Sequence, residues 1–249
     1  MTFPNGYGVK PIGLTVGLPV SGRKVAVEWA INYENLNVPV MVNRCTQITF
    51  NRPIAEARNM ICKGALERNN KYVFFLDDDV TCPSNTLRRL LYDLEQDDDV
   101  GIACGIYCSK EDLPQPLVFK EIGNGAYWKW KAGETFEVAA AATGCMMIRT
   151  DILKDIPEPW FMSIDMDQPP DTYSTWRMTD DIYFCHKVKE HTKYKIVADG
   201  NILCIHYDYA TDPPKPFYLP VDSYPMKDTN INFNGNIVQV NECQSPPQN

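Results

Sequence analysis

Three consecutive aspartates, Asp77, Asp78 and Asp79, directly follow the apolar run YVFFL at 72–76. Aspartate is a poor strand residue, and adjacent carboxylates repel one another unless a cation lies among them. A polar turn accounts for one of the three as a backbone acceptor, but not for all of them. Since alternate side chains of an extended chain point to the same side, Asp77 and Asp79 can bind one cation together.

A calcium loop of the EF-hand kind is excluded as the explanation. Such a loop needs glycine at its sixth position and glutamate at its twelfth, where this chain has Cys82 and Arg88. What remains is a site for a hard divalent cation at the end of a strand, and magnesium or manganese suits its oxygen ligands.

Asp77–Thr81 also reads D-x-D-x-T, which resembles the first motif of haloacid-dehalogenase-type phosphatases. That resemblance implies that Asp77 is a nucleophile and Asp79 a general acid. The motif normally ends the first core strand, however, whereas two strand–helix units precede it here. The phosphatase is therefore kept as the alternative function.

An acidic pair and a histidine are further candidates. Asp180 and Asp181 open a predicted helix, where a carboxylate caps the helix and stabilises its dipole. That role explains one of the two. His206 follows the apolar run ILCI, where a histidine either packs in the core or binds a ligand.

Alternating strands and helices must position these residues. The predicted strands are 13–20, 38–43, 72–76, 101–107, 145–149, 195–199 and 202–206, and the predicted helices are 25–33, 53–70, one capped by Ser84, a short one capped by Thr150, and 180–191. The order over the first hundred residues predicts a parallel, doubly wound sheet. Ligands of such sheets bind outside the carboxyl ends of the strands, where the aspartates lie.

After Tyr107 the alternation of strands and helices stops, and prolines and glycines interrupt aromatic segments. This composition is typical of a smaller antiparallel ribbon. We predict one α/β domain over 1–210, with a first half at about 10–108 and a second half at about 109–210. Residues 211–249 are predicted to form an extended arm.

Composition limits the partners. A net charge of −8 and a pI of about 4.9 argue against a general nucleic-acid binder. Nine scattered cysteines predict reduced, buried thiols rather than a disulfide framework. With no signal segment and no apolar run of transmembrane length, the sequence predicts a soluble, cytoplasmic protein.

Several blocks together resemble nucleotide-sugar glycosyltransferases of the GT-A fold, close to the family 2 type. The blocks are NRPIAEARNMICKGALERNNKYVFFLDDDV, AATGCMMIRTDIL, PWF at 159–161, TDDIYFCHKVKE and VADGNILCIHYD. They cover roughly residues 10–210. The resemblance implies a single GT-A domain that moves a sugar from a nucleoside-diphosphate donor, with UDP favoured, to a carbohydrate or other hydroxyl-bearing acceptor. It also implies that the half at about 10–108 binds the nucleotide and that the half at about 109–210 binds the acceptor.

The resemblance also implies the metal site and the base. Asp79 would bind Mn²⁺ or Mg²⁺, Asp77 would contact the ribose or a metal-bound water, and His206 would be a third ligand that favours manganese. In inverting members, Asp181 would accept the acceptor's proton beside Asp180, whereas a retaining enzyme would not use Asp181 as base.

Three further groups are predicted contacts of the substrates. The nucleotide-binding residues would be Pro19, Val20, Arg58, Asp77 and Asp78, with Asn59 in support. The donor sugar would approach Thr143 and Gly144, and an acceptor sugar would stack on Trp160, Phe161 or Trp176. A carbohydrate-binding relative without catalysis is the lower alternative, and it would have lost the acidic residues that are present here.

Overall fold

A computed structural model describes residues 11–164 and 178–219, together with the backbone of two short strands within 230–239. The helices are α1 (Val27–Glu34), α2 (Ile54–Glu67), α3 (Thr86–Gln96), α4 (Thr150–Asp155) and α5 (Asp180–His191). The strands are β1 (Ile12–Val20), β2 (Val42–Phe50), β3 (Tyr72–Leu76), β4 (Val80–Thr81), β5 (Val100–Ile106), β6 (Val118–Phe119), β7 (Thr135–Val138), β8 (Ala140–Ala141), β9 (Cys145–Arg149), β10 (Lys195–Leu203), β11 (Ile205–Asp208), β12 (Lys215–Phe217), β13 (Asn230–Phe233) and β14 (Asn236–Gln239).

A seven-stranded sheet forms the centre of the molecule, in the order β2-β1-β3-β9-β5-β10-β7. Strand β1 pairs in parallel with β2 and β3, and β5 pairs in parallel with β10. Strand β9 lies antiparallel between β3 and β5, and β7 is antiparallel to β10. The predicted α/β class with a mostly parallel central sheet is confirmed, but β3 and β5 are not neighbours.

The apolar runs explain the central position of β3 and β5. Every residue of both strands is buried, as expected for strands that are covered on both faces. Helix α3 presents an apolar stripe, Leu87, Leu90, Leu91 and Leu94, to one face of the sheet, and α2 presents Ala57, Ile61 and Ala65 to the other.

Some predicted elements are wrong in detail. The second strand is Val42–Phe50 rather than 38–43, because it is an edge strand whose outward Ile48 and Phe50 alternate with polar residues. Residues 195–203 form one strand instead of two separated at Gly200. Helix α3 begins at Thr86 after Asn85, without a cap from Ser84. Thr150 lies inside α4, and its hydroxyl donates to the carbonyl oxygens of residues 70 and 71.

Small antiparallel sheets complete the fold. Strands β12, β11 and β4 form one, in which His206 on β11 lies opposite Val80 on β4, directly after the aspartates. Strands β6 and β8 form another, and β13 and β14 pair within the predicted arm. The division of the chain into two halves and an arm stays a prediction.

The cysteines of the described ranges are free thiols, and all except Cys45 are buried. No helix within the described ranges combines the length and the apolar character that a bilayer crossing requires. The cytoplasmic location stays a prediction.

Candidate active site

The three aspartates lie at the carboxyl end of β3, as predicted, in a loop that is held by backbone contacts. The Asp77 amide donates to the carbonyl of Gly144 at 3.1 Å, and the Asp77 carbonyl accepts from the Trp29 indole at 2.7 Å. The Tyr207 amide donates to the Asp79 carbonyl at 2.8 Å. Three distant segments therefore fix the loop.

Each of the three carboxylates has its own partner. Both oxygens of Asp77 accept from Nη2 of Arg58, at 3.0 and 2.9 Å. Asp78 accepts from the amide and the hydroxyl of Ser21, both at 2.9 Å. Asp79 is bound by Lys110 Nζ at 2.6 Å, and His206 Nε2 lies 3.3 Å away. Separate partners reduce the repulsion that adjacent carboxylates would otherwise feel.

Arg58 joins the aspartate loop to α5. Its side chain is 4% exposed, and its Nη1 donates to Asp180 at 2.6 Å while Nη2 binds Asp77. Burial raises the pKa of Asp77, and Arg58 opposes that shift. Because its guanidinium is engaged by two carboxylates, Arg58 positions acidic residues. A direct contact of Arg58 with the nucleotide stays a prediction.

His206 is oriented by a backbone carbonyl. Its Nδ1 lies 2.8 Å from the oxygen of Cys108, which can only accept, so Nδ1 carries the proton. In the neutral ring Nε2 then presents a lone pair to Asp79. Burial acts to raise the pKa of Asp79, but donation from His206, when its Nε2 also carries a proton, and from Lys110 outweighs burial and lowers that pKa, so the carboxylate is charged.

The Asp79–His206 pair fits a divalent cation. A lone pair and a carboxylate that face each other need a proton or a cation between them, and a ligand histidine usually donates its other nitrogen to a carbonyl. Within the described ranges no group of three or more His, Cys, Asp or Glu side chains is arranged to hold a metal. Two protein ligands suffice where phosphate oxygens complete the shell. Asp77, which is predicted to contact the ribose or a metal-bound water, accepts from Arg58 with both oxygens.

A cavity of about 530 Å³ lies beside the aspartate loop. Its lining includes Ser21, Lys24, Asp78, Asp79, Lys110 and Tyr209. Asp212 also lines it, so three carboxylates outnumber the two lysines, and an anionic ligand there needs a cation beside the aspartates. The predicted contacts Pro19 and Val20 are buried strand residues that do not line it, so the cavity begins one residue later, at Ser21.

Asp181 is the more available member of the acidic pair. Its Oδ1 accepts from the Thr179 hydroxyl and from the Ile182 amide, at 2.8 Å in the second case. Asp180 is 5% exposed and is bound by Arg58. Burial raises the pKa of Asp181, and Arg58 and Thr179 oppose that shift. A raised pKa brings a carboxylate closer to the range of a general base.

Gly144 is needed for close packing. Its amide donates to the Tyr107 hydroxyl at 2.9 Å, and a Cβ on Gly144 would lie 2.5 Å from that hydroxyl and 3.1 Å from Asp77 Oδ2. The neighbouring Thr143 is fully buried, and its hydroxyl has no partner among the described residues. Tyr107, whose ring lies edge-on to His206, was not predicted, because no local motif marks it.

The predicted acceptor aromatics lie in the core. Trp160 and Phe161 are 2% and 1% exposed. The Trp160 indole donates to the Leu153 carbonyl, and Phe161 stacks on Phe184. Their rings are therefore not free to stack on a sugar. Asn59 binds the backbone of both residues, so it supports this segment rather than the aspartates. Trp176 lies outside the described residues.

A model of the family described as "Glycosyl transferase family 2" matches residues 43–156. That segment contains α2, the aspartate loop and β9, but neither Asp181 nor His206. A search of curated proteins gave no match.

Two solved structures share the fold. A197 from STIV is 16% identical, with a TM-score of 0.56, and the match covers 88% of this chain and 100% of that one. GalNAc-T7, solved with UDP, GalNAc and Mn²⁺, is 12% identical, with a TM-score of 0.51 and 80% of this chain covered. The match spans only 44% of the GalNAc-T7 chain. These likenesses, with the sheet order, give the GT-A fold.

The phosphatase alternative is not supported. The family match is to glycosyltransferases, and Asp77, its required nucleophile, has both oxygens bound by a buried arginine. The alternative of a binding protein without catalysis stays a prediction.

Proposed function

We propose that this chain, a family 2-like glycosyltransferase of the GT-A fold, transfers a sugar from a nucleoside-diphosphate sugar to an acceptor hydroxyl and depends on a divalent cation. The observation that carries this proposal is the pair formed by Asp79 and His206 beside a cavity lined by two lysines. Mn²⁺ is the favoured cation because one ligand is an imidazole nitrogen, with Mg²⁺ second.

The cavity beside the aspartates is the proposed donor site. Lys24 and Lys110 would face the diphosphate, and Ser21, which binds Asp78, would lie near the nucleoside. UDP is the favoured nucleotide because GalNAc-T7, which shares the fold, was solved with UDP. When bound, the cation stabilises the negative charge that develops on the leaving diphosphate.

Asp181 is the proposed base of an inverting reaction. The acceptor oxygen forms a bond to the anomeric carbon, the bond from that carbon to the diphosphate breaks, and Asp181 takes the hydroxyl proton. Asp180 and Arg58 position the start of α5 and keep Asp181 near the aspartate loop. The raised pKa of Asp181 suits proton acceptance.

Thermal denaturation with nucleotides tests the donor site. UDP should raise the melting temperature when Mn²⁺ is present and raise it less in EDTA, and GDP and ADP should act more weakly, by linkage. Asp79→Asn should lose the Mn²⁺-dependent part of the shift while it keeps the melting temperature of the free protein. An equal UDP shift in EDTA and in Mn²⁺ would contradict the metal-dependent site.

A further inference from the structure

Lys110 occupies the position on Asp79 that a cation would need. Its Nζ lies 2.6 Å from Asp79 Oδ2, the same oxygen that faces His206 Nε2 at 3.3 Å. An ammonium group and a divalent cation cannot both lie against that oxygen without strong repulsion. Binding of a cation between Asp79 and His206 therefore requires Lys110 to move.

The segment that carries Lys110 is fixed at its base and exposed at its tip. Cys108 pairs with Pro116, and the Ser109 amide donates to the Gln115 carbonyl at 2.9 Å. Lys110 itself is 32% exposed at its side chain, and Leu113 near the tip is 82% exposed. A long, flexible side chain on a fixed base can change partners without a change in the fold.

The cavity beside Lys110 has room for a second partner, the diphosphate of a bound nucleotide. Lys110 lines the proposed donor site together with Ser21, Lys24 and Tyr209. When its ammonium leaves Asp79, it remains beside the space that a diphosphate would fill. Asp79 and a diphosphate thus compete for one lysine, and a cation and the same lysine compete for Asp79.

We infer that the Lys110 ammonium neutralises Asp79 in place of a divalent cation and thereby couples cation binding to nucleotide binding. In the free enzyme it neutralises Asp79. A divalent cation displaces it, and the displaced ammonium then binds the diphosphate, so that each ligand makes the other bind more tightly. This inference rests on the proposed function, because it takes the cavity as the donor site. Coupling of this kind is reciprocal for the two ligands.

The test measures binding rather than turnover. Wild type, Lys110→Met and Lys110→Arg are titrated with Mn²⁺ alone, with UDP alone in EDTA, and with UDP in saturating Mn²⁺, by calorimetry and by the electron paramagnetic resonance signal of free Mn²⁺. Lys154→Met is the matched control, because it removes one positive charge from an exposed ion pair with Asp151 on α4.

Lys110→Met should bind Mn²⁺ alone about 2- to 5-fold more tightly than wild type, the range that corresponds to loss of one partly exposed ion pair. It should bind UDP alone more weakly, and the factor by which Mn²⁺ improves UDP binding should fall. Lys154→Met should have the wild-type affinities in all three titrations, and the affinities of Lys110→Arg should be close to those of wild type.

Two results would overturn the inference and differ from each other. If Lys110→Met and Lys154→Met bind Mn²⁺ and UDP alike, Lys110 does not compete for Asp79, and the donor site itself is untouched. If wild type binds neither Mn²⁺ nor UDP, the proposed function fails and the inference fails with it.

Discussion

The acidic residues of the candidate site differ in their burial and in the donors that they bind. Arg58 and Asp180 are buried and bind each other, so they hold the geometry. Asp181 and Asp79 are less buried, and each has oxygen lone pairs that protein donors do not saturate. Substitutions should therefore separate loss of stability from loss of transfer.

Asp181→Asn should lose transfer and keep binding. An amide still accepts from the Thr179 hydroxyl and the Ile182 amide, so the free energy of unfolding should fall by less than about 1 kcal/mol. It cannot take a proton, so turnover should fall by about 10²–10⁴. The measurements are UDP-sugar binding and transfer rate, and near-normal transfer would remove Asp181 as the base.

The pH dependence of turnover gives an independent check on Asp181. Because burial raises its pKa, the residue is protonated and unable to accept a proton at the acidic end. Transfer should therefore rise with pH along a limb that lies above the usual aspartate pKa of about 3.9. A limb at or below that value would contradict the assigned base.

Arg58→Met should destabilise the protein strongly. It leaves Asp77 and Asp180 partly or fully buried without their cation, and such a loss typically costs about 3–5 kcal/mol. The matched variant Arg52→Met breaks an exposed pair with Glu56 and should cost less than about 0.5 kcal/mol. Chemical denaturation of the two variants provides the comparison, and equal losses would refute the positioning role.

At the scale of elements, local patterns predicted where the aspartates lie but not what they contact. The run YVFFL fixed the strand and hence the loop that follows it. Arg58, by contrast, pairs with Asp77 at a sequence separation of 19 and with Asp180 at 122, and the second contact is not encoded in a local pattern. Ser21, Lys110 and Tyr107 were missed for the same reason, since each joins the site only through tertiary packing.

Strand order shows the same limit. Alternating strands and helices imply neighbouring parallel strands, so β9 was recognised as a core strand without its position between β3 and β5. The edge strand β2 is misplaced at 38–43 because a continuous apolar run there is typical of a buried strand. An edge strand alternates apolar and polar residues instead.

Gly144→Ala should disturb the junction of β9 with the aspartate loop. The added methyl would lie 2.5 Å from the Tyr107 hydroxyl, and overpacking of this kind costs about 1–3 kcal/mol. Tyr107→Phe removes that hydroxyl, so the double variant should recover part of the loss. A double-mutant cycle of unfolding free energies measures the recovery, and strictly additive losses would place the strain elsewhere.

At the scale of the whole molecule, stability depends on carboxylates that lie outside the site. Asp199 on β10 is fully buried and binds Arg89 of α3 through two hydrogen bonds, at 2.7 and 3.1 Å. Burial, and then the nearby charge of Asp199, raise the pKa of Asp93 to about 7, while Arg89 opposes the shift. The folded state therefore binds a proton at Asp93 that the unfolded state releases near pH 4.

Stability should consequently fall as pH rises from about 4 to about 7, because the folded state holds more protons than the unfolded state in that interval. Asp93→Asn should remove this part of the dependence. The difference in unfolding free energy between wild type and variant, measured at about pH 5 and about pH 8, isolates the contribution of Asp93. An unchanged difference at the two pH values would contradict the raised pKa.

The position of β9 has a consequence for the order of events during synthesis. Strands β1, β2 and β3 are synthesised well before β9, yet within the described residues it is β9, Cys145–Arg149, that pairs with both β3 and β5. The first hundred residues can therefore not close the sheet by themselves, and the exposed edge of β3 waits for a segment translated much later. Such long-range pairing slows folding and leaves an unpaired strand edge in the nascent chain. An unpaired edge is prone to aggregation, and chaperones protect nascent chains from it.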